Sequence, residues 1–184
     1  MPVSGRFALA AALCSFLCAG ASALEITACA DGPAPGRKDF ALSGVMVLGG
    51  VGVHAGLGAG GRVVALSDPS GWRGLRILDS KFAQKLLAAH GGGLPAAALP
   101  GRKPELKVVS ASPLNSNFRI ANVEIAFDGE LLAVFGVVRR RGLGMDIYSV
   151  VPPDFLVLQD EELSDRVRKL ALDAGKLAFY KEKA

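Results

Sequence analysis

Residues 118–138 read FRIANVEIAFDGELLAVFGVV. From Phe118 to Phe127 the chain alternates, with Ala121, Val123, Ile125 and Phe127 on one face and Asn122 and Glu124 on the other, the period of a half-buried strand. Asp128-Gly129 follows, a pair suited to a two-residue type I′ turn because both central positions need positive φ. Glu130 to Val138 returns as a largely apolar run. The stretch predicts a β-hairpin, and a hairpin with one apolar face requires a second layer to cover it.

That cover is predicted at the C-terminus. From about residue 160 to 181, Leu163, Val167, Leu170, Ala171, Ala174, Leu177 and Ala178 recur at three- and four-residue spacing, while Arg166, Arg168, Lys169, Asp173 and Lys176 take other positions. Asp160, Glu161 and Glu162 stand at the start of this helix and Lys181 and Lys183 at its end, as its dipole prefers. The expected fold class is α+β: an antiparallel or mixed sheet with the hairpin at 118–138, covered by an amphipathic helix at 160–181, in a two-layer sandwich.

Around this frame, Leu106 to Ala111 and Ile147 to Val151 read as further strands, the latter ended by Pro152-Pro153. Asp79-Ser80 caps a helix from Lys81 to His90 whose apolar side is Phe82, Leu86 and Ala89, and Gly91-Gly-Gly93 ends it. Val45 to Leu48 and Arg62 to Leu66 are short β-rich runs separated by a glycine-dense connection, and Trp72 to Leu78 reads as another short strand. Residues 94–104 carry three prolines and read as a loop.

The first 23 residues belong to a different category. One positive side chain, Arg6, precedes an uncharged run, FALAAALCSFLCAG, and Ala21-Ser22-Ala23 supplies the small-x-small pattern of a signal-peptidase site. Residues 1–23 are read as a secretory signal peptide cut before Leu24. Residues 24–39, with two prolines and two glycines, read as a flexible linker, and 40–184 as a single α+β domain. The expected location is the bacterial periplasm or outside the cell. Ile26-Thr27-Ala28-Cys29 resembles the lipobox of bacterial lipoproteins, which makes Cys29 a candidate lipidation site and an outer-membrane lipoprotein the alternative; Glu25 departs from that pattern.

Composition limits the partners. The chain has 184 residues, 51% apolar and 21% charged, with a formal charge of +4. Loss of Arg6 with the signal leaves 20 basic against 17 acidic side chains, too small a surplus to predict nucleic-acid binding. Cys14 and Cys18 also leave, so Cys29 has no intramolecular partner for a disulfide. The one concentrated charge is Arg139-Arg140-Arg141, a candidate contact for anionic lipid headgroups or an acidic partner protein, weighed against a solvated strand end.

The remaining residues admit several further chemical readings, each with a feature against it. Gly50-Val-Gly52-Val-His-Ala55 fits a dinucleotide-binding fingerprint, but the helix that should follow would hold Gly56, Gly58, Gly60 and Gly61. On a helix, Gly52, Gly56 and Gly60 would line one face of a membrane-inserted glycine zipper, although Val45, Val47, Val51 and Val53 alternate as in a strand. Pairing of Cys29 with His54 or His90 as a nucleophile and base finds no supporting spacing, and no metal-ligand spacing occurs. No cofactor is expected. The leading reading is an exported envelope protein acting as a non-enzymatic binding or assembly module. The alternatives are an envelope enzyme with an unrecognised site and the zipper protein.

Overall fold

The computed structural model describes residues 24–54, 63–66, 74–93, 102–142 and 145–183. In chain order the elements are β1 (Ile26–Asp31), β2 (Arg37–Leu42), β3 (Met46–His54), β4 (Val63–Leu66), β5 (Leu75–Ile77) and α1 (Ser80–His90). They continue with β6 (Leu106–Pro113), β7 (Arg119–Phe127), β8 (Leu131–Arg141), β9 (Asp146–Val151), β10 (Leu156–Leu158) and α2 (Glu161–Lys183). The expected signal segment, residues 1–23, lies outside the described residues.

Two tight turns shape the strand pairing. At the β7–β8 turn Asp128 and Gly129 have φ of 50° and 70°, and Glu130 N–H donates to the Phe127 carbonyl at 3.0 Å. This is the hairpin expected from the Asp-Gly pair, with Val123 opposite Phe135 and Ile125 opposite Ala133. The β2–β3 turn is built the same way. Ser43 and Gly44 have φ of 51° and 67°, and Val45 N–H donates to the Leu42 carbonyl at 3.1 Å. A Ser-Gly pair is a weaker turn signal than Asp-Gly, since serine adopts positive φ less readily.

The strands form two five-stranded antiparallel sheets. The first runs β1-β2-β3-β10 with β4 also on β3; the second runs β5-β8-β7-β6 with β9 also on β8. Both sheets share a device in which one long strand offers the same edge to two short ones. β10 pairs with Met46–Leu48 and β4 with Val51–His54 along β3, while β5 pairs with Leu131–Ala133 and β9 with Gly136–Arg141 along β8.

The glycines of β3 sit where its edge changes partner. Gly50 has φ of 67°, its N–H donates to Asp39 Oδ1 at 2.7 Å, and its carbonyl accepts from Arg37 Nη1 at 3.3 Å. Gly49 N–H donates to the Phe155 carbonyl at 2.8 Å. The side chains of β2 thus satisfy backbone groups that the ladder leaves open at an irregularity. The glycine-zipper reading is corrected here: Gly52 lies in a strand opposite Arg37 and Ala65, and Gly56 and Gly60 lie outside the described residues. The valine alternation prevailed, because β-branched side chains fit a pleated surface better than a helix. Among the described residues, no helix is long and apolar enough to cross a membrane.

The flexible linker expected at 24–39 is also corrected. Leu24 is 0% exposed and Ile26 2%, and β1 pairs along β2 from Ile26 opposite Leu42 to Asp31 opposite Lys38. Pro33 and Pro35 occupy the loop joining β1 to β2, so the Pro/Gly density marks a reversal inside a sheet instead of a tether.

Helix α1 follows the reading closely. Asp79 caps it by accepting from the N–H groups of Lys81 and Phe82 at 2.7 and 2.8 Å, and it buries Phe82, Leu86 and Ala89. Helix α2 lies over the second sheet, touching β6 to β9, and also meets β10 of the first. Its buried positions are Leu163, Val167, Ala171, Gly175 and Phe179, each four residues after the last. Four residues overshoot a helical turn by about 40°, so this stripe winds around the helix as it crosses a twisted sheet. The apolar faces of both sheets and both helices share one hydrophobic cluster, as an α+β sandwich requires.

Candidate functional site

A crevice opens between the end of β9, the segment through β10, and the first turns of α2. It has a volume of about 440 Å³. Its deepest side chains are Phe135, Leu156 and Val167, all buried; Val150, Pro152 and Val157 form its walls. Pro152-Pro153 ends β9 and turns the chain, and Asp154 and Phe155 lead it into the three-residue β10 on the other sheet. The crevice is thus a junction between the two sheets, closed on one side by α2. Among the described residues, the polar side chains at its lining are Asp154, Ser164 and Arg168, with backbone groups adding further polar surface, and Arg168 is held by Asp165 one turn earlier at 2.8 Å. Val151 and Val157 beside it are half-exposed apolar side chains. An apolar cleft with a few polar groups at its mouth suits recognition of an apolar group.

Above it, α2 is fastened to the sheet by an aromatic and charged cluster. The hydroxyls of Tyr148 on β9 and Tyr180 on α2 are 2.5 Å apart, and Tyr148 also donates to Asp146 Oδ2 at 3.3 Å. Lys176 Nζ lies 4.4 Å from the Tyr148 ring centroid, and the Arg139 guanidinium 5.2 Å from that of Phe179. The hydrogen bond shared with Tyr180, then burial, pushes the Tyr148 phenol up to about 12.

The three arginines do not form one patch. Strand alternation turns Arg140 to the opposite side from Arg139 and Arg141. Arg139 is engaged by Asp146 at 3.8 Å and by Phe179, Arg140 lies 5.9 Å from the Phe118 ring centroid, and Arg141 is exposed. Their strand is paired on both sides here, with Arg139 opposite Tyr148 and its N–H donating to the Phe118 carbonyl.

Cys29 sits in β1 opposite Phe40, half-buried. Burial holds its thiol above the ordinary range, more than the nearby Lys38 lowers it, so the neutral thiol is favoured. His90 Nε2 donates to the Gly36 carbonyl at 3.2 Å, a contact joining α1 to the β1–β2 loop. Among the described residues, no group of three or more His, Cys, Asp or Glu converges to hold a metal ion.

The β7–β8 turn contains a further perturbed group. Asp128 Oδ1 accepts from the Glu105 N–H at 2.8 Å, while Oδ2 is buried with no hydrogen-bond partner among the described residues. Burial raises its carboxyl above the ordinary aspartate range, outweighing the Glu105 amide. The folded state therefore favours the neutral acid, a contribution present below the ordinary value and lost as pH rises through the raised one. Asp128→Asn is neutral at every pH and accepts positive φ. It is expected to gain stability relative to wild type between pH 3 and pH 7, read from urea midpoints at the two values.

Sequence reasoning did not find the crevice, because its lining comes from four elements and includes a strand of only three residues. The Pro152-Pro153 pair was the one visible mark of it. Comparison with known proteins finds no matching protein family, no matching curated protein and no matching solved structure.

Proposed function

We propose that this chain is an exported envelope protein that works as a binding or assembly module, with the crevice between β9, β10 and α2 as its recognition surface. The observation that carries this reading is the apolar cleft itself, whose depth is lined by Phe135, Leu156 and Val167 and whose margin exposes Val151 and Val157. Exposed apolar side chains beside a cleft cost free energy in water unless a partner covers them. The export half of the reading rests on the signal-like residues 1–23.

A fluorescent apolar probe tests the recognition surface. N-phenylnaphthylamine is expected to bind the folded protein saturably with one site, and Val157→Arg, at a half-exposed wall position, is expected to weaken it about tenfold by placing a charge at the mouth. Absence of saturable binding to the folded wild type counts against a preformed apolar site. Periplasmic fractionation of the full-length chain tests the export half.

A further inference from the structure

We propose that processing between Ala23 and Leu24 creates an α-ammonium on Leu24 that forms an ion pair with the buried carboxylate of Glu130, locking the two sheets together at the start of the mature chain. The proposal rests on the export reading, which supplies the cleavage. Two independent observations meet at this bond. Ala21-Ser22-Ala23 has the pattern of a signal-peptidase site. The nitrogen that this cut would free already points at an acid, since Leu24 N lies 3.2 Å from Glu130 Oε2 in a buried contact.

The surroundings make this a junction. Glu130 is 9% exposed and closes the β7–β8 turn, and its carbonyl accepts from Leu78 N–H at 2.7 Å just before α1. Next to Leu24, Glu25 N–H donates to Ser43 Oγ at 3.0 Å and the Glu25 carbonyl accepts from Ser43 N–H at 2.6 Å. Ser43 is 1% exposed and belongs to the β2–β3 turn. Residues 24 and 25 are thus gripped between the positive-φ turns of the two sheets, one grip backbone-like and the other carboxylate.

Hydrolysis of the Ala23–Leu24 bond consumes one water, leaving a carboxylate on Ala23 and an ammonium on Leu24. An amide presents one N–H to Glu130; an ammonium presents three donors and a full charge, and charge-assisted hydrogen bonds are the stronger kind. Because Leu24 is fully buried, the peptidase must act before this strand docks, so processing precedes closure of the junction. Charged groups about the turn among the described residues include Asp128, with Glu105 and Arg102 acting on it, together with Glu25 and the α1 cap Asp79.

The full chain exported from a bacterial host, purified and weighed intact, is expected to begin at Leu24. A different first residue overturns the processing step and with it the export reading's cleavage site. On the same protein, labelled with ¹³C and ¹⁵N, the free α-amine of Leu24 is titrated by NMR through its Cα shift, folded and in urea. The expected result is a folded titration midpoint at least one pH unit above the unfolded one, where an unperturbed α-amine titrates near about 8. The shift should vanish in Glu130→Gln. Equal midpoints in the folded and unfolded wild type overturn the ion pair even when the chain begins at Leu24. Thermal stability supplies a second reading: the raised amine stabilises the fold below its unfolded value, so for a shift of about one unit Tm should fall by about 3–5 °C as pH rises through the folded value. An unchanged Tm across that range, with Asp128→Asn as background, also overturns it.

Discussion

Replacing Gly175 by valine is expected to destabilise the protein by about 3 kcal/mol, with a fall in Tm of about 6–12 °C for a domain of this size. The cause is steric. A Cβ at position 175 would stand 2.5 Å from Val137 Cγ2, 3.1 Å from Val137 Cβ and 3.3 Å from Val123 Cγ2. Those atoms belong to short, branched side chains on β8 and β7, which cannot swing aside as a lysine tip would. Alanine sharpens the argument because two effects oppose each other. In an open helix, Gly→Ala gains about 1 kcal/mol from backbone entropy. Here the same methyl pushes α2 off the sheet, at an overpacking cost of about 1–3 kcal/mol. Gly175→Ala is therefore expected to lose about 1 kcal/mol net in urea unfolding, where an exposed helical glycine would gain. Trimming the opposing side chain provides the control. Val137→Ala should cost stability alone yet partly rescue Gly175→Ala, giving a coupling energy of about 1 kcal/mol or more in a double-mutant cycle. Stabilisation by Gly175→Ala in the wild-type background would show that the helix does not approach the sheet this closely.

The same glycine shows what could be read from the residues and what could not. Helix α2 was legible as a helix because its apolar residues recur at the right period over six turns. Its buried face was only partly legible. Leu177, counted in the apolar stripe, is 57% exposed, while Gly175 and Phe179, left out of it, face the sheet. A helical wheel weighs hydrophobicity and ignores size, so it does not register a glycine whose value is absence of bulk. The β7–β8 hairpin was legible because alternation and an Asp-Gly turn agree, two local signals for one structure. In β1 and β2 the local signals conflict. Asp31, Arg37, Lys38 and Asp39 give the charge of a tether, and Pro33 and Pro35 its composition, yet Leu24, Ile26, Phe40 and Leu42 supply a buried face. Only the tertiary pairing resolves that conflict. The crevice lay further out of reach, since Phe135, Leu156 and Val167 come from three elements with no common spacing in the chain.

A chain beginning at Cys29 is expected not to fold, and this outcome bears on the proposed lipidation of that residue. Lipidation of Cys29 would require cleavage immediately before it, discarding residues 24–28. Those residues include Leu24 and Ile26, two fully buried members of the shared cluster, and the register of β1 with β2 from Ile26 opposite Leu42 to Ala28 opposite Ala41. Also lost are the Leu24 contact to Glu130 and both backbone links from Glu25 to Ser43. Truncating a buried leucine or isoleucine to alanine alone costs about 2–5 kcal/mol. Removing two such side chains together with their backbone approaches or exceeds the whole stability of a typical domain, about 5–15 kcal/mol. The shortened chain should show no cooperative urea transition and rapid proteolysis, with near-ultraviolet circular dichroism lost. Leu24→Ala and Ile26→Ala in the chain beginning at Leu24 should each lower stability by about 3 kcal/mol while keeping a single transition, which separates lost packing from a failure to fold for other reasons. A cooperative, protease-resistant protein starting at Cys29 would favour the lipoprotein reading, because the core would then close without residues 24–28. Within the geometry described, the half-buried Cys29 thiol lies three residues beyond Ile26 on a strand that the core requires, so cleavage before Leu24 is expected to preserve the fold and cleavage before Cys29 to dismantle it.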